Sequence, residues 1–333
     1  MHKLCVIIPC YNYQNFVGEA IESVVSQNCP ECDLIVIDDQ STDKSWEVIQ
    51  SWGVRAYRVP NGGGRRAFVA GLEHTTAPFI LCLDADDKLK PGSLAKIIQR
   101  LDQDVAKLQY SLTKIDARGA SFGEAHPNLW NYRLRDRLIK EVARTGVYRC
   151  PPTSGNVFRR DVCELVKEAE YDRAVDGVAL FAAPFYGDVV SLSEQLGCYR
   201  IHGENISGMG GLLKPEVLKH EVDRFMLRMR HLQAIIRARG YDGITLAPDR
   251  AYFYLERSLY YAIVRGERPT FRHLRLLVGA LIVERMSLGT KLKLLALFVC
   301  LKFCSETFAL KLIQFRMGTG RRTTAEFFRM ILS

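Results

Sequence analysis

Five acidic residues form two short clusters, Asp38-Asp39 and Asp84-Ala85-Asp86-Asp87, each directly after a short apolar run. Crowded carboxylates repel unless a cation or hydrogen-bond donors offset them. Mg²⁺ and Mn²⁺ prefer oxygen ligands and often bind through one or two carboxylates plus substrate phosphates. A single Asp-Asp pair reads as a turn former or helix cap. Two clusters after two apolar runs favour a cation and an anionic substrate. Pro9-Cys10-Tyr11-Asn12 follows a third such run. The Gly62-Gly63-Gly64-Arg65-Arg66 stretch either approaches an anionic group or is a flexible turn with solvated arginines. There is no GxGxxG after the first apolar run and no GxxxxGK[ST], so neither a dinucleotide fingerprint nor a P-loop is present.

These clusters need a scaffold that brings them together. Leu4–Pro9 reads as a buried parallel strand, Phe16–Ser26 as a helix, and Leu34–Ile37 as a second strand. Asp43–Trp52 reads as a helix capped by Ser41 or Thr42. Arg55–Val59 is a third strand, Phe68–Leu72 part of a third helix, and Phe79–Leu83 a fourth strand. This alternation predicts an α/β fold with a doubly wound, mostly parallel sheet. Ligands of such sheets bind beyond the carboxyl ends of the strands, where all three features fall. Further on, Lys107–Leu112 and Gly197–Ile201 read as strands and residues 113–155 as loop-rich. Asp161–Glu168 and Asp176–Phe185 read as helices. After Gly208–Gly211 the character changes, and from Pro215 the chain reads as basic helices.

The charge changes at the same place. The chain of 333 residues carries a net +9, yet residues 1–213 hold 24 Lys/Arg and 27 Asp/Glu, against 22 and 10 in residues 214–333. The reading is therefore a catalytic domain over residues 1–212 and a basic α-helical region over 213–333, the latter facing an anionic partner. Nothing resembles a nucleic-acid reader, so an anionic membrane surface is the expected partner. Leu274–Val283 and Leu292–Phe303 are strongly apolar but shorter than a span needs. Lys291, Lys293, Lys302 and Lys311, with Glu306 and Arg316, interrupt the longest stretch. Such helices lie in the membrane interface or pack as a core. For insertion, Leu292, Leu295, Phe298 and Val299 are the candidates. The first residues, MHKLCVIIPCYN, lack the apolar core of a signal peptide, so a cytoplasmic, peripherally membrane-bound location is expected. Cys29 and Cys32 have metal-like spacing, but no second pair follows at zinc-ribbon distance.

VIIPCYNYQNFVGEAIESVVSQ, then LIVIDDQSTDKSWEVI, then ILCLDADDKLKPGSL resemble, in order and spacing, the family 2 glycosyltransferases of GT-A fold. The resemblance implies an inverting transferase that moves a sugar from a nucleoside-diphosphate sugar, with uridine the expected base. The acceptor would be a hydroxyl on a glycan or lipid-linked glycan, in bacterial-type surface glycan assembly. It implies that Pro9, Tyr11 and Asn12, with Asp38 and Asp39, hold the nucleoside. It makes Asp84-Ala85-Asp86 the DxD motif, with Asp86 on a Mn²⁺ or Mg²⁺ ion at the diphosphate and Asp87 in support.

Inversion needs a base opposite the leaving group. The resemblance places it at Asp176, in AVDGVALFAAPFYG, where the family's acidic pair is reduced to Val175-Asp176; Asp172 is the alternative. CYRIHGENISG, residues 198–208, resembles the family's Tyr-Arg-x-His segment. It implies that His202 is a metal ligand or diphosphate contact and that Arg200 neutralises phosphate charge. Ser154, Gly155 and Asn156 match a loop that lines the sugar and acceptor pocket. One departure is Ala67-Phe68-Val69-Ala70-Gly71, where many relatives carry Ala-Arg-Asn-x-Gly; Arg65 or Arg66 is the expected substitute contact. No QxxRW-type motif occurs, which favours single-sugar transfer. The competing readings are a degenerate nucleotide-sugar-binding scaffold and a sugar-phosphate nucleotidylyltransferase. The second would need a Gly-rich, Arg-containing loop where PCYNYQNF stands.

Overall fold

The computed structural model describes residues 2–202, 214–284 and 286–317. The run LCVIIPC forms β1 (Leu4–Cys10), nearly all of it buried, as a strand covered on both faces must be. It pairs in parallel with β2 (Cys32–Asp38) and β4 (Phe79–Cys82), and β2 pairs in parallel with β3 (Arg55–Arg58). The crossovers are α1 (Val17–Val25), α2 (Ser45–Ser51) and α3 (Gly64–Glu73). Val17, Ala20, Ile21 and Val24 form the buried stripe of α1. The Asp43–Trp52 helix begins at Ser45, and its N-terminus is not capped by Ser41 or Thr42. Instead, Ser45 N donates to Asp43 Oδ1 (2.9 Å).

Beyond β4 the sheet turns mixed. β8 (Asn156–Arg159) lies antiparallel between β4 and the long β6 (Val105–Ile115), and β9 (Asp188–Arg200) runs parallel to β6. β5 (Lys88–Leu89) and β7 (Tyr132–Leu134) both pair antiparallel with β9. The path through the sheet is β3-β2-β1-β4-β8-β6-β9-β5, with β7 beside β9. This is the expected α/β architecture, with its parallel half built from the first four expected strands.

The remaining helices of this part are α4 (Ser93–Gln99), α5 (Asp136–Thr145), α6 (Arg160–Cys163) and α7 (Ala179–Ala182). Two expectations change. Within the loop-rich residues 113–155 stands a helix the sequence reading does not anticipate, α5, which buries Leu138, Ile139 and Val142 on one face. The Asp176–Phe185 helix is a single turn, α7, followed by a 3₁₀ turn at Ala183–Phe185. Gly177 at its start and Pro184 near its end are poor helix-interior residues.

The sequence reading set one cut at 212/213, whereas the chain gathers into two interleaved units. The described residues of Met1–Val142, Tyr148–His202 and Arg230–Ile244 form the first, and those of Ala143–Val147, Gly203–Met229 and Thr245–Ser333 the second. Its helices include part of α8 (Pro215–Ala238), then α9 (Tyr252–Val264), α10 (Phe271–Val283), α11 (Leu288–Phe303) and α12 (Glu306–Met317). They close on a core that includes Leu259, Leu277, Phe298 and Ile313. Inside it Glu256 accepts from the Tyr252 and Tyr260 hydroxyls (2.8 and 3.1 Å) and faces Arg316 at 3.1 Å. Among the described residues no helix is long and apolar enough to cross a membrane.

Candidate active site

The carboxyl ends of β1, β2 and β4 place three loops along one edge of the sheet. The loop after β1 turns at Asn12, in the left-handed region at φ 58°, as asparagine tolerates. Asn12 Oδ1 then accepts from Thr42 N (2.8 Å), and Asn12 N donates to Ser41 Oγ (3.0 Å). Asn12 thus clasps the β1 loop to the β2 loop. Tyr11 stays exposed at 44%, an aromatic face at the rim beside half-buried Pro9.

Both carboxylates after β2 are buried and already bonded within the chain. Asp38 accepts from Ser41 N (3.2 Å) and pairs with Arg58 Nε (3.0 Å). Asp39 accepts from Gly62 N (2.8 Å) and Gly63 N (2.7 Å). The glycine run therefore turns its amides toward a carboxylate of the chain itself. Gly63, at φ 85° and ψ 161°, holds a conformation that side chains resist. Arg65 is also committed, donating to the carbonyls of Val166 (3.1 Å) and Lys167 (3.4 Å). Arg66 is exposed and has no hydrogen-bond or ion-pair partner among the described residues.

The DADD loop is held from three sides. Asp84 N donates to Ser154 Oγ (3.1 Å), and the two-residue β5 ties the far end of the loop to β9. That ladder carries the YRIH segment onto the loop. Arg200 N donates to Asp87 Oδ1 (2.8 Å) and Arg200 Nε to the main-chain oxygen of Asp86 (2.7 Å). The Arg200 guanidinium is fully buried; it meets Glu19 Oε2 at 2.8 Å and lies 4.8 Å from the centre of the Phe16 ring. Enclosed this way, Arg200 positions the loop instead of presenting charge to a phosphate. His202 Nε2 and Asp86 Oδ2 are hydrogen-bonded at 3.0 Å, and both side chains are buried. The His202 ring rests against Phe16 and edge-on to Tyr13, with centroids at 5.0 and 6.1 Å.

The charge here is underbalanced. Burial pushes the Asp84 carboxyl well above the usual carboxylate range, and repulsion from Asp87, Asp86 and Asp176 adds to it. Burial, with Asp86, raises Asp87 as well. Asp87 Oδ2 is buried without a hydrogen-bond partner. Asp176, just before α7, belongs to the same electrostatic cluster. Asp172, the alternative base, is 1% exposed and accepts from Ala174 N (3.0 Å), bracing the turn that leads to Asp176.

Ser154, Gly155 and Asn156 are all buried and stand behind the loop instead of lining an open pocket. The Ser154 carbonyl accepts from Tyr110 OH (2.6 Å), and Asn156 Nδ2 reaches the Pro152 carbonyl (2.9 Å). A Cβ on Gly155 would fall 2.7 Å from Pro151 Cβ. Sequence reasoning missed Glu19, Tyr13 and Phe16, which support Arg200 and His202. The apolar stripe of α1 marks only its core face, and these three lie off it. The segment after His202, residues 203–208 of the motif, lies outside the described residues. A hollow of about 470 Å³ lined by Lys3, Asn28, Glu31 and Gln99 holds none of these groups.

Among the described residues, no three His, Cys, Asp or Glu are grouped to hold a metal by themselves. The Asp86–His202 pair beside an orphaned carboxylate oxygen still fits a divalent ion whose other ligands come from a diphosphate and water.

Residues 5–166 match the glycosyl transferase family 2 domain. The chain is 33% identical over 214 residues to an uncharacterized glycosyltransferase of Nostoc sp., alr2836, covering 61% of this chain and 66% of that one. It is 31% identical over 117 residues to the GalNAc(5)-diNAcBac-PP-undecaprenol beta-1,3-glucosyltransferase of Campylobacter jejuni, covering 32% and 37%. The crystal structure of S. aureus TarS 1–349 shares the fold, with a TM-score of 0.53 at 16% identity over 96% of this chain and 93% of that one. The chain thus spans just under two thirds of the Nostoc relative and about a third of the Campylobacter one. Together with the strand-end loops and the DADD cluster, the domain match makes residues 5–166 a glycosyl transferase family 2 domain.

Proposed function

We propose that the chain transfers a sugar, with inversion, from a nucleoside-diphosphate sugar to an acceptor hydroxyl, using Mg²⁺ or Mn²⁺. One observation carries the reading. The β5–β9 ladder sets His202 3.0 Å from Asp86, inside a cluster of carboxylates whose burial and mutual repulsion raise Asp84. Asp86 and His202 would hold the ion. When bound, it supplies charge neutralisation to the diphosphate leaving group.

The chain's own residues do the rest. Tyr11 and Pro9 offer an apolar rim for a nucleobase, uracil being the favoured one, beside Asp39. Arg66, exposed at the start of α3 and three residues past Gly63, is the candidate phosphate contact. Asp176 takes the proton from the acceptor hydroxyl as that oxygen attacks the anomeric carbon. The bond to the diphosphate then breaks on the opposite face. The acceptor proposed is a glycan or lipid-linked glycan of a surface polymer. The Campylobacter relative, named for an undecaprenol-linked acceptor, supports that class.

The test is release of nucleoside diphosphate from a panel of nucleotide sugars, with Mn²⁺, Mg²⁺ or chelator, by the wild type and Asp86→Ala. Release should need the metal and fall at least about 10²-fold in the variant, the scale of losing a key electrostatic group. Near-normal release by the folded variant with chelator present would remove the metal role. A wild type that binds a donor but cleaves none, with or without metal, would favour the non-catalytic scaffold.

A further inference from the structure

A helix of the second unit carries apolar side chains on two opposite faces, where a surface helix normally has a single apolar stripe. That helix, α11, reads LGTKLKLLALFVCLKF. One face is buried through Leu294, Phe298 and Leu301. The opposite face is in water: Leu288 is 73% exposed, Leu292 57%, Val299 49% and Phe303 69%. Their spacing places them in one line along the helix. From α10, Ile282 at 68% and Phe271 at 69% add to the exposed apolar surface. The expectation that Phe298 inserts into a membrane is corrected, because it is wholly buried in the core. Leu295 packs against that core as well.

Charge identifies the occupant. Residues 268–303 carry seven Lys/Arg and one acidic residue, Glu284. Arg272, Arg275 and Lys293 are exposed on the same two helices. A second copy seated on this face would bring two such basic segments together, at a cost of like-charge repulsion. An anionic bilayer supplies both an apolar interior and the opposite charge. Lysine beside leucine suits a helix lying in the interface, since the long stem reaches the headgroups while its neighbours insert.

We propose that the exposed face of α10 and α11 docks flat on a membrane rich in anionic lipid, with Leu288, Leu292, Val299 and Phe303 inserted among the acyl chains. The proposal is independent of the transfer reaction, and its readout is binding alone.

The experiment is co-sedimentation of the full chain with phosphatidylcholine vesicles, with and without phosphatidylglycerol, over a range of salt. The wild type should sediment with the anionic vesicles at low salt and release as salt rises. Removing one basic residue, as in Arg275→Gln or Lys293→Gln, should weaken partitioning about fivefold. Leu292→Ser and Val299→Ser should each weaken it by roughly tenfold, the scale of losing one inserted aliphatic side chain. Unchanged circular dichroism and melting confirm that these surface variants stay folded. No partitioning of the wild type into anionic vesicles at low salt overturns the proposal. So does partitioning that none of the four variants weakens. So does a concentration-dependent dimer that Leu292→Ser dissolves, which would make the face a protein interface.

Discussion

A carboxylate's task follows from its neighbours, and Asp86 and Asp176 differ in theirs. Asp86 is fastened to His202 and its own carbonyl is gripped by Arg200, so it is fixed in place at the end of a rigid ladder. Asp176 sits on a bend ahead of one helical turn, and its charge is felt by Asp84 on one side and Lys107 on the other. Fixed geometry suits an ion ligand; a carboxylate between an acidic cluster and a lysine suits proton transfer. Asp176→Asn keeps the shape and removes the basicity. Turnover is expected to drop by about 10²–10⁴-fold while donor affinity holds, because the proposed base acts on the acceptor side. Transfer rates and nucleotide titrations on the same preparation separate the two effects. Normal turnover in this variant would move the base elsewhere in the site.

The elements that make the site are of two kinds, and only one is legible in sequence. β1, β2 and β4 announce themselves as short apolar runs because both of their faces are covered, and the acidic loops follow them directly. β5 is two residues long and exists through its pairing with Gly197 and Cys198. No local pattern encodes such a strand, yet it decides that Arg200 and His202 land on the DADD loop. The polar-looking α5 escapes because it offers only three buried positions in a charged sequence, whereas the expected Asp176–Phe185 helix shrinks to the single turn of α7. The Ser154–Asn156 loop is recognisable as a motif, but its role as a brace comes from contacts with Asp84 and Tyr110, distant in the chain. Arg200 gives this a test. Arg200→Met keeps the bulk and removes the bonds to the Asp86 carbonyl and Glu19. A loss of about 2 kcal/mol or more in unfolding free energy is expected, short of the full cost of breaking a buried pair because Glu19 is partly exposed. Donor binding should weaken with it, and Arg200→Lys should not restore it, since an ammonium cannot span the same partners. Unfolding midpoints and donor affinities equal to wild type would show that the ladder alone holds the loop.

At the scale of the whole molecule the sheet carries a charge that the proposed chemistry does not directly use. Lys107, on β6, is fully buried. Its ammonium donates to Gln109 Oε1 (2.9 Å), Tyr148 OH (3.2 Å) and Cys150 Sγ (3.1 Å), and it lies 4.9 Å from the centre of the Tyr148 ring. Burial holds its pKa below the ordinary lysine value of 10.5, with Cys150 and Asp176 pulling the other way. The consequence for folding has a definite sign. Below the folded value, Lys107 is charged in both states and the cost of burying that charge is constant. Between the folded value and 10.5 the unfolded chain binds the proton more readily than the native one, so stability rises with pH. Lys107→Met keeps the length, removes the charge and abolishes this rise. The variant's stability relative to wild type should therefore be most favourable at neutral pH and decline as pH climbs toward 10.5. Tyr110 and Tyr148, whose phenols burial pushes up, act in the opposite sense above the ordinary tyrosine value of 10.0. Urea unfolding of both proteins at neutral pH and at a pH just under that value, each carrying Cys150→Ser because burial also raises that neighbouring thiol from 9.0, isolates the lysine. A stability difference that stays constant between those two conditions would mean that Lys107 keeps its ordinary affinity for the proton, with its hydrogen-bond partners offsetting its burial.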